Sequence, residues 1–136
     1  KKLAERLKNH GCIVTYNHPI WSRVRPEDFI NIPDINMLEI FNYNTVNECG
    51  TGYDVTYWDL MLRSGRHINA DATDDNHNGG SFPDSFGGYI VVQAEELSHE
   101  AICQAIFEWG NIILLQDRKY MTGRWKITSL SLIAVQ

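Results

Sequence analysis

The segment that decides the fold reads His67-Ile68-Asn69-Ala70-Asp71-Ala72-Thr73-Asp74-Asp75-Asn76-His77-Asn78. Its first part, residues 67–71, predicts a strand, and the remainder is an acidic loop at the end of that strand. Asp75 and His77 are two residues apart, so in an extended segment both side chains leave the same face and either share one pocket or bind adjacent ions. A solvated turn is the alternative, because Asp and Asn clusters are typical of turns.

A second strand end, upstream, carries another potential ligand. Cys12-Ile13-Val14-Thr15-Tyr16 predicts a short apolar strand, and His18 follows its carboxyl end directly. Sites in α/β proteins collect at the carboxyl ends of strands. Pro19 favours an extended conformation at His18, which would hold the imidazole in one direction. Two strand ends that both bear ligand-type side chains favour a metal site over an ordinary polar loop.

The rest of the chain alternates between predicted helices and strands. In chain order we expect a helix over 1–9 that ends at Gly11, strand 12–16, a helical turn opened by Pro26, strand 37–41, a helix from Thr51 or Asp54 to Gly65, strand 67–71, strand 89–92 and a helix opened by Ser98. This order predicts an α/β fold with a parallel sheet.

Five runs of the sequence resemble, in the same order, motifs of the polymerase and histidinol phosphatase (PHP) family. They are Tyr16-Asn17-His18-Pro19-Ile20-Trp21-Ser22-Arg23, then Leu38-Glu39-Ile40-Phe41-Asn42, then Trp58-Asp59 with Leu62 and Gly65, then Ala72-Thr73-Asp74-Asp75-Asn76-His77-Asn78, and Asp84-Ser85-Phe86-Gly87-Gly88-Tyr89-Ile90-Val91-Val92. The series covers most of the chain up to about Trp109.

The resemblance implies the C-terminal half of a (β/α)7 PHP-type barrel that is a metal-dependent phosphoesterase, hydrolysing phosphoester bonds with a metal-activated water. Carried over residue by residue, His18 matches the ligand of the family's His-Pro motif, and Asp75 and His77 match its late Asp-x-His pair. The family's opening His-x-His strand and its middle Glu and His ligands have no counterpart here. We therefore expect residues 1–110 to be the back part of a longer PHP-like domain. Mixed His and carboxylate ligands suit zinc, manganese or iron without distinguishing among them.

Four further residues are candidates for roles around the metal or the substrate. Glu39 lies inside an apolar strand, where burial without a partner is costly, so it is expected to bond a ligating His or to order water. Asn42 either joins that network or starts the next turn, and Asp74 either orients a ligand or forms its own turn. Arg23 is the candidate for a substrate phosphate, because its planar donors match phosphate oxygens.

Composition excludes several classes of protein. The formal net charge of −5 argues against nonspecific nucleic-acid binding, which needs clustered Lys and Arg. No apolar run approaches the roughly 18 residues of a membrane helix, so we expect no membrane contact and a cytoplasmic protein. The cysteines Cys12, Cys49 and Cys103 lack the paired spacing of a zinc knuckle or a disulfide framework.

The tail from residue 111 to residue 136 departs from the family pattern. Where the family continues with an aromatic residue and Ser-Ser-Thr-Gly-Pro-Glu, this chain reads Asn111-Ile112-Ile113-Leu114-Leu115-Gln116-Asp117-Arg118-Lys119-Tyr120-Met121. Codons for 111–122 can be chosen so that a neighbouring frame spells the family's segment, so one hypothesis is a shifted reading frame. The alternative is a genuine terminal hairpin, because 112–115 and 125–135 are strand-like.

These expectations leave two classes of function open. The first is a metal-dependent phosphoesterase that acts on a small phosphorylated substrate and is incomplete in this chain, since three inferred ligands are few for a multi-ion site. The second is a noncatalytic PHP-like module for metal binding or interaction. A half barrel exposes unpaired strand edges, so we also expect a homo-oligomer or a complementary fragment bound to it.

Overall fold

The computed structural model describes residues 2–77 and 84–108, together with the backbone of residues 111–115 and 134–135. Its elements in chain order are α1 (Lys2–Asn9), β1 (Thr15–Tyr16), α2 (Pro26–Phe29), β2 (Met37–Asn42), α3 (Tyr43–Cys49), α4 (Val55–Arg63), β3 (Asn69–Thr73), β4 (Gly88–Val92), α5 (His99–Phe107), β5 (Asn111–Leu115) and β6 (Ala134–Val135). Across the described ranges, no helix has the length and apolar character needed to cross a bilayer.

The first three strands form a parallel sheet in the order β1-β2-β3. Thr15 of β1 pairs with Met37 of β2, and Glu39 of β2 pairs with Asp71 of β3. The carboxyl ends of all three strands therefore lie at one edge of the sheet, where parallel α/β sheets place their sites. The predicted mixed α/β fold with a parallel sheet is confirmed at this level, and the (β/α)7 barrel stays a prediction.

The fourth predicted strand belongs to a second sheet and does not extend the parallel one. β4 is the centre of an antiparallel sheet in the order β5-β4-β6, with Ile90 opposite both Ile113 and Val135. Hydrophobic patterning reports which positions are buried, but it does not report which strand lies beside which. The expectation that one parallel sheet includes 89–92 is therefore corrected.

Apolar side chains cover both faces of the parallel sheet. Every residue of β2 is buried, as expected for a central parallel strand packed on two sides. One face packs against α2 and α4 through Phe29, Ile35, Leu38, Ile40, Met61, Ile68 and Ala70. The other face packs against β4 and α5 through Met37, Ile90, Val92 and Ile106.

A carboxylate joins the end of β3 to the start of β4. Asp74 accepts the backbone N–H groups of Phe86, Gly87 and Gly88, at 2.5, 2.7 and 2.7 Å. A Cβ on Gly88 would lie 2.0 Å from the carbonyl oxygen of Thr73, so the two backbones approach more closely than any side chain would permit. This contact brings the start of β4 beside the carboxyl end of β3, which leads into Asp74 and Asp75.

The local signals for helices were largely reliable. Pro26 opens α2, α4 is followed by Gly65 at a φ of 83°, and Ser98 caps α5 by accepting the N–H of Ala101 at 3.2 Å. The sequence did not predict α3, which begins where only a turn was expected after Asn42.

Part of the tail forms strands. Residues 111–115 pair with β4 along its whole length, and 134–135 pair with its other edge, so the strand-like character of 112–115 and of the end of the chain is confirmed. The predicted turn at 121–123 and most of the second strand lie outside the described residues. The reading-frame hypothesis concerns the gene, and it stays a prediction.

Candidate metal centre

Predicted site residues from three strands lie together at the carboxyl edge of the parallel sheet. His18 follows β1, Glu39 and Asn42 belong to β2, and Asp75 follows β3. Hydrogen bonds connect all four. Among the described residues, the non-glycine residues with a positive φ are His18, Arg23, Asp75 and Phe86. The sequence singled out His18, Arg23 and Asp75 as candidate site residues. Such conformations are strained and tend to cluster at functional sites.

His18 occupies a turn whose shape differs from the expectation. Its φ is 32°, so it is not extended, although it precedes Pro19. The hydrogen bond from its backbone N–H to Glu39 Oε2, at 2.7 Å, holds it away from the extended region that the following proline favours. The ring makes an edge-on contact with Trp21 at 4.9 Å between centroids, and Nδ1 lies 2.9 Å from Ser22 Oγ. These contacts leave Nε2 as the ring nitrogen for a ligand or metal.

Glu39 is fully buried, and hydrogen bonds satisfy both of its carboxylate oxygens. Oε2 accepts the His18 N–H and also Asn42 Nδ2 at 3.1 Å, while Oε1 accepts Thr73 Oγ1 at 2.5 Å. Glu39 therefore bonds the backbone of His18, the candidate metal ligand, and not its ring. Glu39 ties together the ends of β1, β2 and β3.

Asn42 fills both of the roles that the sequence left open. Its Nδ2 donates to Glu39 Oε2 and to Asp75 Oδ2, each at 3.1 Å. Its Oδ1 accepts the N–H of Thr45 at 2.9 Å and so caps the N-terminus of α3. One side chain thus starts the next helix and orients the Asp75 carboxylate.

Asp75 and His77 form a local pair after β3. His77 Nδ1 lies 2.6 Å from the carbonyl oxygen of Asp75. A carbonyl only accepts, so Nδ1 carries the proton in this hydrogen bond, and the neutral ring has its lone pair on Nε2. That Nε2 lies 3.9 Å from Asp75 Oδ1. The backbone N–H of His77 donates to the buried Asp84 at 3.1 Å, which anchors the pair to the segment before β4.

The donor chemistry of these residues fits a divalent metal, but the described residues supply only part of a ligand set. Imidazole nitrogen and carboxylate oxygen are the usual protein ligands of zinc and similar ions, and the buried network around Glu39 is of the kind that orients them. Across 2–77 and 84–108, no three His, Cys, Asp or Glu side chains converge closely enough to hold an ion by themselves. His18, Asp75 and His77 therefore do not meet at one point here, and each would need further donors to hold an ion.

Asp74 and Arg23 occupy different positions from the ligand candidates. The hydrogen bonds of the Asp74 carboxylate go to the backbone of 86–88, so it orients the start of β4. Arg23 lies at the exposed end of the turn that contains His18, with a φ of 54°. Its backbone N–H donates to Ile20 at 3.0 Å, which closes that turn.

Of two buried carboxylates next to Glu39, the sequence assigned Asp54 only to a helix cap and left Asp71 between orienting a ligand and lying in a solvated turn. Burial, followed by repulsion from Glu39, raises the pKa of Asp71 to about 7, and burial raises the pKa of Asp54 to about 6. Asp54 Oδ2 and Asp71 Oδ1 have no hydrogen-bond partner among the described residues. Strand alternation places Asp71 on the face of its strand that Asn69 and Thr73 share, and this was the available signal. Asp54 carried only a helix-capping signal.

Comparisons of the chain with protein-family models, with curated proteins and with solved structures found no significant match. The resemblance to the PHP family therefore rests on the motifs themselves.

Proposed function

We propose that this chain forms part of a PHP-like, metal-dependent phosphoesterase, in which His18, Asp75 and His77 bind zinc, manganese or iron. The observation that carries the proposal is the chain of hydrogen bonds from the backbone of His18 through Glu39 and Asn42 to Asp75. It joins candidate ligands that are 57 positions apart in sequence, because the ends of β1 and β3 flank β2.

The residues around these ligands keep the donor atoms in place. Asn42 donates to Asp75 Oδ2, while Asp75 Oδ1 faces His77 Nε2. The Nδ1 atoms of both histidines have hydrogen-bond partners, so Nε2 is the nitrogen available to a metal in each ring. A bound divalent ion would supply Lewis acidity, which activates water and neutralises charge on a phosphoryl group.

Arg23 is proposed to bind the substrate phosphate. It lies five residues beyond His18 in the same turn, and its side chain is exposed to solvent. A guanidinium offers paired donors that match two phosphate oxygens. The proposed substrate is therefore a small phosphorylated molecule, which reaches Arg23 and the ligand side chains from the same edge of the sheet.

A noncatalytic PHP-like module is the second candidate. One observation favours it: within the described part of the chain, no group of three ligand side chains converges on one point. Such a module would bind one ion weakly through His77 and Asp75, or would serve as an interaction part of a larger protein.

Metal content and hydrolysis measured on the same preparations separate the two candidates. We expect the wild-type chain, dialysed against zinc or manganese, to retain metal in elemental analysis, and His18→Ala and Asp75→Ala to retain less. His10→Ala is the matched control, because His10 is exposed and its ring bonds the carbonyl of Arg6 in α1. Hydrolysis of 4-nitrophenyl phosphate and its bis-ester tests the activity.

The outcomes are distinct. Metal retention with hydrolysis, both reduced by His18→Ala, supports the phosphoesterase. Metal retention without hydrolysis favours the noncatalytic module. Equal metal content in wild type, His18→Ala and Asp75→Ala contradicts the assignment of the ligands.

A further inference from the structure

Two buried carboxylates from different elements hold the turn that follows β1. Glu39 accepts the N–H of His18 at 2.7 Å, and Asp54, which directly precedes α4, accepts the N–H of Ile20 at 2.8 Å. Pro19, between them, has no N–H. Both backbone donors of residues 18–20 are thus paired with carboxylates that are 0% exposed.

Asp54 does not act as a helix cap, although it occupies the N-cap position of α4. Its side chain makes no capping hydrogen bond, whereas an N-cap Asp ordinarily accepts an N–H from the first turn of its helix. Oδ1 instead reaches the turn of His18, and Oδ2 is buried without a partner among the described residues. Burying a carboxylate costs free energy, and helix capping does not account for that cost here.

The conformation of His18 needs this support. A positive φ is strained at a residue with a side chain, and His18 has a φ of 32°. Hydrogen bonds to charged groups are among the stronger ones in proteins, so the two carboxylates offset this strain. Without one carboxylate, the extended region that Pro19 favours becomes competitive.

We propose that Asp54 is a positioning residue that, together with Glu39, clamps the turn of residues 18–20 and so places His18 at the candidate metal centre. The role toward a metal rests on the proposed function, whereas the clamp is a property of the fold that can be tested separately. Asp54 acts through the backbone of Ile20.

Amide hydrogen exchange by NMR tests the clamp, and zinc titration calorimetry tests its consequence. We expect Asp54→Ala to accelerate exchange at Ile20 and to weaken zinc binding by about 10-fold or more, which is typical when a group that orients a ligand is lost. Asp54→Asn keeps an oxygen that can accept the Ile20 N–H, so it should restore the protection of Ile20 and most of the zinc affinity. Asp59→Asn is the matched control, because Asp59 lies on the same helix but is exposed and pairs with Arg63 at 2.7 Å.

Each result decides one of the two claims. Unchanged exchange at Ile20 in a folded Asp54→Ala protein would overturn the clamp. If the exchange changes but zinc affinity equals that of Asp59→Asn, the positioning role is overturned and the clamp is only structural. If the wild type binds no zinc, the ligand assignment fails, and the exchange data still decide whether the clamp exists. Recovery of both Ile20 protection and zinc affinity in Asp54→Asn supports the proposal. If Asp54→Ala had only destabilised the protein, an acceptor at position 54 would not restore both.

Discussion

Three residues that the sequence marked for function adopt a backbone conformation that L-residues rarely take. His18, Arg23 and Asp75 all have positive φ. Glu39 holds His18 by accepting its N–H, and Asn42 holds Asp75 by donating to its carboxylate. Strain of this kind persists only where the surroundings over-determine it, so its coincidence with the predicted site supports a functional origin.

Sequence reasoning found the polar residues at the strand ends but did not report that Asp54 and Asp71 are buried beneath them. The acidic loop and the His-Pro dipeptide are local patterns, so His18, Asp75 and His77 could be selected directly. The roles of Asp54 and Asp71 depend on burial and on contacts with distant segments, which include Ile20 for Asp54 and Thr15 for Asp71. A sequence pattern does not report such contacts, and Asp54 looked like an ordinary helix cap.

The raised pKa of Asp71 predicts a specific dependence of stability on pH. Its pKa is about 7 in the folded chain against an ordinary value of 3.8, so between these values the folded state binds more protons than the unfolded state. The free energy of unfolding should therefore fall as pH rises across that window. The slope is about 1.4 kcal/mol per pH unit, and the total is on the order of a few kcal/mol. Asp71→Asn should reduce this fall, leaving the part due to Asp54, whose pKa burial raises to about 6, and the variant should be more stable than wild type at pH 8.

Urea unfolding at several pH values between 4 and 8 measures the effect of Asp71→Asn. Asp59→Asn serves as the control, because Asp59 is exposed and its substitution also removes one carboxylate from the chain. Stability curves for wild type and Asp71→Asn that run parallel over the whole range would contradict a neutral, protonated Asp71 in the folded state.

At the scale of elements, the contact between the end of β3 and the start of β4 keeps the acidic loop against the second sheet. Asp74 accepts three consecutive N–H groups at the start of β4, and the backbone of Gly88 lies against Thr73. Only a residue without a Cβ allows this approach. Asp75 follows Asp74 directly, so this junction also fixes where the predicted metal ligands begin.

Gly88→Ala should disrupt that junction. The new Cβ would meet the carbonyl oxygen of Thr73 at 2.0 Å, and since both groups belong to the backbone, a strand must move. We expect a loss of about 1–3 kcal/mol in the free energy of unfolding and faster amide exchange at Gly87 and Gly88. Gly65→Ala is the comparison: its site is open but has a φ of 83°, so it should lose stability without changing those two amides. Unaltered exchange at Gly87 in Gly88→Ala would show that the junction is not as tight as described.

Elements with local signals could be predicted, and elements set by long-range pairing could not. Pro26, Ser98 and Gly65 carry their start and stop signals within a few residues, so α2, α4 and α5 appear where they were expected. The place of β4 in a second sheet follows from its pairing with 111–115 and 134–135, which patterning within β4 does not encode. The helix α3 was missed because Asn42 signals a turn and a helix cap equally well.

At the scale of the whole molecule, both sheets of the described fold end in edge strands, and several apolar side chains are exposed. β1 pairs with β2 alone and forms one edge of the parallel sheet. On α1, Ala4 is buried, while Leu3 and Leu7 are 68% and 38% exposed. Edge strands and exposed apolar side chains both favour association with another chain. The alternatives are a second copy and a complementary fragment.

We expect the purified chain to associate with itself in the absence of any other chain. Light scattering coupled to size exclusion should give a mass of at least twice 15.6 kDa. Because Leu3 and Leu7 lie on the exposed side of α1, the double substitution Leu3→Glu and Leu7→Glu should shift the population toward the monomer. Leu97→Glu is the matched control, since Leu97 is 76% exposed but lies outside the helices. A monodisperse wild-type monomer would contradict self-association, and an equal shift in the Leu97→Glu protein would mean that added charge, and not the surface of α1, dissociates the chains.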